Sequence, residues 1–161
     1  VNADNPEELS LDLPAAHSAS RMARQVVRKF ALERGLVEDE VGILELVTSE
    51  LLSNAVDHGG GGSAMEEADI EGGVRMRLYL RVQAGSWVMR ISDQGGGDPQ
   101  EMEPFLDPDG MPDLEDERGR GFFLLVQMVD EILVARSEDG TGLEFTVHKQ
   151  TVHEQHGDSA S

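Results

Sequence analysis

Hydrophobic and polar side chains alternate without a break over residues 74–82. Val74, Met76, Leu78, Leu80 and Val82 fall on one parity, and Arg75, Arg77, Tyr79 and Arg81 on the other. A period of two belongs to a strand, so this stretch predicts one face in the core and an arginine-rich face turned away from it. Leu9, Leu11 and Leu13 alternate with Ser10 and Asp12 up to Pro14, which predicts a shorter strand. Elsewhere the steps lengthen to three and four residues. Leu44, Val47, Leu51 and Ala55 share one face of a helix from about Glu38 to Asp57, stopped by the glycine run Gly59 to Gly62. Met22, Val26, Val27 and Phe30 predict the buried face of an earlier helix, from about Ala16 to Glu33, ended by Gly35. After a loop over 59–73, the strand at 74–82 turns through Gln83–Ser86 into a second strand, Trp87–Ser92. Asp98 to Arg118 shows no strong periodicity and predicts a structureless connection. A helix over Phe122–Asp130 follows, with Phe123, Val126, Gln127 and Asp130 at helical spacing. A strand at Ile132–Arg136, a turn at Ser137–Gly142 and a last strand alternating at Leu143, Phe145 and Val147 close the chain, with Trp87 and Phe145 as core residues.

The order is strand, helix, helix, hairpin, connection, helix, hairpin. It predicts an α/β fold, a two-layer sandwich with a mixed, mostly antiparallel sheet and helices on one face. The 161 residues suit one domain, placed at 9–149, with flexible tails at 1–8 and 150–161. No apolar run approaches the roughly 20 residues that span a bilayer. With no signal-peptide pattern at the start, this predicts a cytoplasmic protein without a membrane partner. There is no cysteine, which removes disulfides and thiolate metal sites. The net charge of −19 argues against direct nucleic-acid binding, where affinity comes from Lys and Arg on phosphates. The acidity favours a basic protein partner, or serves only solubility.

Candidate chemistry sits at element boundaries. Glu50 and Asn54 are four apart and stack beside the apolar stripe of the central helix. A carboxamide can ligate a hard cation and a carboxylate can take a proton; on this stretch alone, both are also what solvent-facing residues of an amphipathic helix look like. Asp93-x-Gly95-x-Gly97 ends a core strand, where a buried carboxylate can accept from an exocyclic amine and glycines admit a flat ring. Gly119-x-Gly121 opens a helix, where free backbone N–H groups suit phosphate. Arg21, Arg24 and Arg28 make a second stripe on the first helix, either solvated or facing something acidic. His58, beyond Asn54, could approach phosphates or merely suit a helix C-terminus. Between Asp98 and Arg118 nine acids face one base, so few of them could lie against an anionic ligand; Arg118 and Arg120 are the cations at the start of the helix that follows.

These motifs, in this order, resemble the GHKL ATPase superfamily with its Bergerat ATP-binding fold, and within it the bacterial anti-sigma-factor serine/threonine kinases. Glu45 to His58 is similar to the N-box, Ile91 to Gly97 to the first glycine box, and Arg118 to Glu131 to the second. Gly140-Thr141-Gly142 is similar to the late Gly-Thr turn beside the adenine. The resemblance implies ATP and Mg2+ as cofactors. Asn54 would coordinate the magnesium, Glu50 would be the general base, and Asp93 would read the adenine amino group. Gly95 and Gly97 would shape the adenine pocket with Thr141 in support, Gly119 and Gly121 would contact phosphates, and 98–118 would be a lid. It further implies a homodimer that holds a sigma factor and phosphorylates a STAS-domain anti-anti-sigma protein. The acidic lid leaves open a nucleotide-binding regulator that sequesters partners without efficient transfer. No G-x-x-x-x-G-K-[ST] occurs, and Gly119–Leu124 lacks the third glycine of a dinucleotide fingerprint. His153-Glu154-Gln155-His156 has the wrong spacing for a zincin.

Overall fold

The computed structural model describes residues 7–57, 73–110, 115 and 117–151. The loop at 59–72, His58, most of both tails and part of the acidic connection lie outside the described residues. The strands are β1 (Glu8–Pro14), β2 (Arg75–Gln83), β3 (Ser86–Ser92), β4 (Glu131–Arg136) and β5 (Leu143–Gln150). The helices are α1 (His17–Glu33), α2 (Glu38–Asp57), the short α3 (Pro99–Met102) and α4 (Glu117–Met128), with a 3₁₀ turn at Glu103–Leu106. The strands form one sheet in the order β1–β2–β3–β5–β4. Every ladder among the described residues is antiparallel. Because β5 inserts between β3 and β4, the ends of β3 and β5 are adjacent, and the turns that follow β3 and precede β5 meet there.

Strand parity decides the two faces. Met76, Leu78, Leu80 and Val82 are buried, and they pair across β1 and β3 with Leu9, Leu13, Trp87, Met89 and Ile91. On the opposite face Arg75 pairs with Asp12 at 3.2 Å and Arg81 with Glu8 at 2.8 Å. Tyr79 donates to Glu8, and the Arg90 guanidinium stacks 4.4 Å over the Tyr79 ring.

Helix α2 has the predicted bounds. Leu44, Val47, Leu51 and Leu52 are fully buried, each contributing about 1.5–3 kcal/mol. Buried Thr48 satisfies its hydroxyl on the Leu44 carbonyl at 2.7 Å. Helix α1 ends in a Schellman motif. Gly35, at φ 91°, donates to Leu32, and Leu36 donates to Ala31. Its packed face differs from the predicted one. Val27 and Phe30 are buried as expected, but Met22 is 53% exposed, and Ala19, Ala23 and Ala31 are buried in its place. Small side chains at that face let α1 approach α2 closely. The arginine stripe is partly taken up by α2, with Arg28 on Glu38 and Glu45 and Arg24 on Ser49.

The connection after β3 is not structureless. Asp98 Oδ1 caps α3 by accepting from the Gln100 N–H at 3.0 Å, and Pro99 stands at the first helical position. Met102 is buried. The Phe105 ring lies 6.1 Å from Phe122, which stacks 5.5 Å from Phe145 on β5. Helix α4 begins at Glu117, five residues before the predicted start, so Gly119 and Gly121 lie within it. Its buried side chains are Phe122 and Leu125, whereas Phe123 is 38% exposed.

At the far end of the core, buried Glu40 accepts from the Trp87 indole at 3.4 Å and from Lys149 Nζ at 3.1 Å. Removing the ammonium would leave a buried carboxylate short of its cation. Lys149→Met should therefore lower stability by about 2 kcal/mol in urea unfolding, and adding Glu40→Gln should recover part of it. A loss below about 0.5 kcal/mol would show that water already serves Glu40.

Candidate functional site

The site forms where α2, the end of β3, the β4–β5 turn and α4 converge. On α2, Leu51 and Ala55 anchor the helix in the core, and Glu50 and Asn54 sit beside them at its rim. Asn54 is buried at 7% exposure, and Glu50 is half-buried. Helix α4 meets Glu50 at Gly121. A Cβ there would overlap the Glu50 Oε1, the far end of that side chain, so the glycine lets α4 and this carboxylate meet without a rotamer change. Gly119 is buried in the first turn of α4. Arg120 is exposed, and the side chain of Arg118 lies outside the described residues.

Asp93 follows β3 and is 5% exposed. Its main chain continues the pairing with β5, donating to the Leu143 carbonyl at 3.0 Å. Its Oδ1 accepts from the Gly95 N–H at 2.9 Å and from the Leu143 N–H at 3.2 Å. Among the described residues nothing donates to Oδ2. Burial pushes this carboxyl above the ordinary range, and the two backbone donors oppose that shift. Gly142 packs against Asp93 so closely that a Cβ would overlap both its carbonyl oxygen and Oδ1. Gly97 faces the Leu143 side chain, where a Cβ would lie 3.0 Å from Cδ1.

The β4–β5 turn is held by Asp139. Its Oδ1 accepts from Ser137 Oγ, Thr141 N and Thr141 Oγ1 at 2.9, 3.0 and 2.7 Å. Those bonds, chiefly from Thr141, hold its carboxyl down at about 2. Since this value lies below that of the unfolded chain, its contribution to stability is full above about pH 4 and is lost as pH falls toward 2. The Thr141 carbonyl accepts from the Gly96 N–H at 2.7 Å, which ties this turn to the one after β3.

The geometry thus gathers Glu50 with Gly121, and Asp93 with Gly95, Gly142 and Leu143. Ser137, Asp139 and Leu143 join the site without standing out in the sequence. The Ser-x-Asp-Gly-Thr pattern of an Asx-stabilised turn is the signal that could have found the first two. Among the described residues no three His, Cys, Asp or Glu side chains gather to hold a metal. A cation beside Asn54 would thus lean on ligands brought by an anionic partner, as magnesium does on nucleotide phosphates. A cavity of about 350 Å3 opens elsewhere, on the helix-free face, among Arg75, Arg77, Tyr79, Arg90 and Glu144. It is also lined by Asp93, Ser137 and Asp139, so it borders the convergence described above, but Glu50 and Asn54 do not line it. No described helix is long and apolar enough to cross a membrane.

Residues 13–147 match the histidine kinase-like ATPase domain. The chain belongs to this family. Among relatives, it is 29% identical over 146 residues to the anti-sigma F factor of Bacillus subtilis (strain 168), covering 88% of this chain and 92% of the relative. Two solved structures share the fold. A chain of the SiaB–SiaC complex from Pseudomonas aeruginosa superposes with a TM-score of 0.62 at 15% identity, covering 89% of each chain. The RsbU and RsbW domains of Rv1364c from Mycobacterium tuberculosis superpose with a TM-score of 0.55 at 19% identity, over 88% of this chain. This chain spans 32% of that protein. The family fold fits the chain's own features: a buried acid with one oxygen unserved among the described residues, and glycines at the close approaches to Asp93 and Glu50.

If Gly142 is small because Asp93 lies against it, Gly142→Ala should disturb the pocket from its floor. It should lower the unfolding midpoint and weaken ATP at least tenfold in calorimetry, whereas Gly140→Ala, where a Cβ meets open space but the φ of 78° is strained, should cost stability with little effect on ATP. Unchanged ATP affinity in folded Gly142→Ala would show that Asp93 does not depend on this contact.

Proposed function

We propose that this chain is an ATP-dependent serine/threonine kinase of the anti-sigma type, which phosphorylates a STAS-domain anti-anti-sigma protein and sequesters a sigma factor. The observation that carries the reading is Glu50 set against Gly121. It brings an acid of the N-box helix to the helix of the second glycine box, where family members handle phosphates. The likeness to an anti-sigma factor over nearly its full length supports the partner class.

The residues divide the work. Asp93 Oδ2 would accept from the adenine amine while Oδ1 stays on its two backbone donors. Gly95, Gly97 and Thr141 would line the base. Gly119, Gly121, Arg118 and Arg120 would face the phosphates, and the Asn54 carboxamide oxygen would offer a neutral ligand to magnesium. Bound Mg-ATP supplies the γ-phosphoryl group. Glu50 would take the proton from the attacking hydroxyl of the partner protein, which the amide of a glutamine cannot do. Partners are proteins, the chain itself in a homodimer among them, and the compartment is the cytoplasm. An acidic chain would meet a basic surface of the sigma factor.

A second reading has its own observation. Of the acids in the connection, Asp98, Glu101, Glu103 and Asp109 are exposed, and Asp107 turns its carboxylate onto the Asp109 N–H. A lid so acidic opposes closure on a triphosphate, and favours a nucleotide-binding regulator that sequesters partners without efficient transfer. One variant separates the two. Glu50→Gln should bind ATP within about threefold of the parent and lose at least about 100-fold in phosphoryl transfer to STAS-domain proteins from radiolabelled ATP. Equal, slow transfer by parent and variant would favour the regulator.

A further inference from the structure

Glu40 is a buried acid that takes no part in the site. It lies in the first turn of α2, 6% exposed, at the end of the helix away from Glu50 and Asn54. Its Oε1 accepts from the Trp87 indole at 3.4 Å, and its Oε2 accepts from Lys149 Nζ at 3.1 Å. Lys149 Nζ also donates to the Gln150 carbonyl at 3.2 Å, so the ammonium is fixed between two acceptors. Trp87 on β3 and Lys149 on β5 stand directly opposite each other. The same ladder, continued past Ser92 and Glu144, brings the Asp93 N–H onto the Leu143 carbonyl. One pair of strands thus carries the partners of Glu40 at one end and Asp93 at the other.

The lengths of the two elements match. Trp87 to Asp93 is six residues of strand, about 20 Å. Glu40 to Asn54 is fourteen residues of helix, about 21 Å, with Glu50 about 15 Å along. Apolar burial holds α2 down on the sheet without fixing its direction. The contact of Thr48 Oγ1 with Met89 Sδ, at 3.8 Å, directs it weakly, because the one hydroxyl proton lies on the Leu44 carbonyl at 2.7 Å. Hydrogen bonds to a buried charge are directional and strong. A tilt of about 5° at Glu40 would move Asn54 by about 2 Å, enough to spoil the alignment of reacting groups.

We infer that Glu40, Trp87 and Lys149 form a joint that sets the angle between α2 and the β3–β5 ladder, and through it the placement of Glu50 and Asn54 relative to Asp93. The three are positioning residues. The inference rests on the nucleotide reading above, in which Asp93 takes the base and Asn54 and α4 face the phosphates. The donors to Asp93 come from Gly95 and Leu143, not from α2, so the base end forms without the joint. A ligand that spans both ends depends on it.

The test compares adenosine, which needs the Asp93 end alone, with Mg-ATP, which spans both. Adenosine is titrated by NMR and Mg-ATP by calorimetry, on the full chain. Glu40→Met, Trp87→Phe and Lys149→Met together remove every partner at once and orphan none, so the unfolding midpoint should stay within about 5 °C of the parent. Adenosine affinity should stay within about twofold, while the ATP-over-adenosine ratio falls about tenfold. Lys149→Arg keeps a cation for Glu40 and should retain the parental ratio. Should the triple variant not fold, Lys149→Met alone carries the same comparison, with the same fall expected. A merely structural cluster would change stability and leave the ratio alone. A parental ratio in the folded variant, or equal weakening of both ligands, would overturn the inference. A parent chain that binds neither ligand would overturn the nucleotide reading, and this inference with it.

Discussion

The site depends on one carboxylate kept where carboxylates are expensive to keep. Asp93 is withdrawn from water, and an ionised group in such a place needs donors. Among the described residues it has two, both backbone N–H groups, and both on the same oxygen. One donor comes from its own turn, and the other from the first residue of β5. The position therefore exists only because β5 runs beside β3, and only because Gly142 brings no Cβ to the contact. Sheet order, turn chemistry and an absent side chain converge on one atom, and they leave its companion Oδ2 available for a ligand.

The second half of the site rests on α2. Leu44, Val47, Leu51 and Leu52 fix that helix by burial, and Glu50 and Asn54 inherit its rigidity because they share its turns. A catalytic or ligating group on a packed helix is held more firmly than one on a loop. Helix α4 then comes to Glu50 rather than Glu50 reaching for α4. The cost is a glycine inside a helix, about 1 kcal/mol relative to alanine, and steric access is the return. Phe122, stacked between Phe105 and Phe145, keeps α4 seated while its exposed edge stays apolar at Phe123, Leu124 and Met128.

Long periodic stretches were legible because their signal is redundant. Nine residues of strict alternation define β2, and four apolar positions over twelve residues define α2. The site motifs were legible through the resemblance, which rests on glycines beside Asp93 and within α4. What escaped had physical reasons. Alanines 19, 23 and 31 carry little hydrophobic weight, so the pattern points to Met22, although it is the alanines that are buried. Gly119 and Gly121 read as punctuation before a helix, yet both lie within one, and Gly121 packs against the Glu50 carboxylate. Helix α3 is four residues long, too short to show a period, and its cap at Asp98 was the only cue. The Asp139 network consists of polar contacts over five residues, to which hydrophobic patterning is blind.

Asp93 offers the most direct test, because one atom distinguishes the carboxylate from its amide. Asp93→Asn keeps an oxygen for the Gly95 and Leu143 donors and puts an N–H group where Oδ2 stands, so a donor would face the adenine amine. Calorimetry of the folded variant against Mg-ATP is the measurement. The expected result is a loss of affinity of about 100-fold or more with the unfolding midpoint nearly unchanged. Parental ATP affinity in a folded Asp93→Asn chain would contradict the assignment of this carboxylate to the nucleotide base.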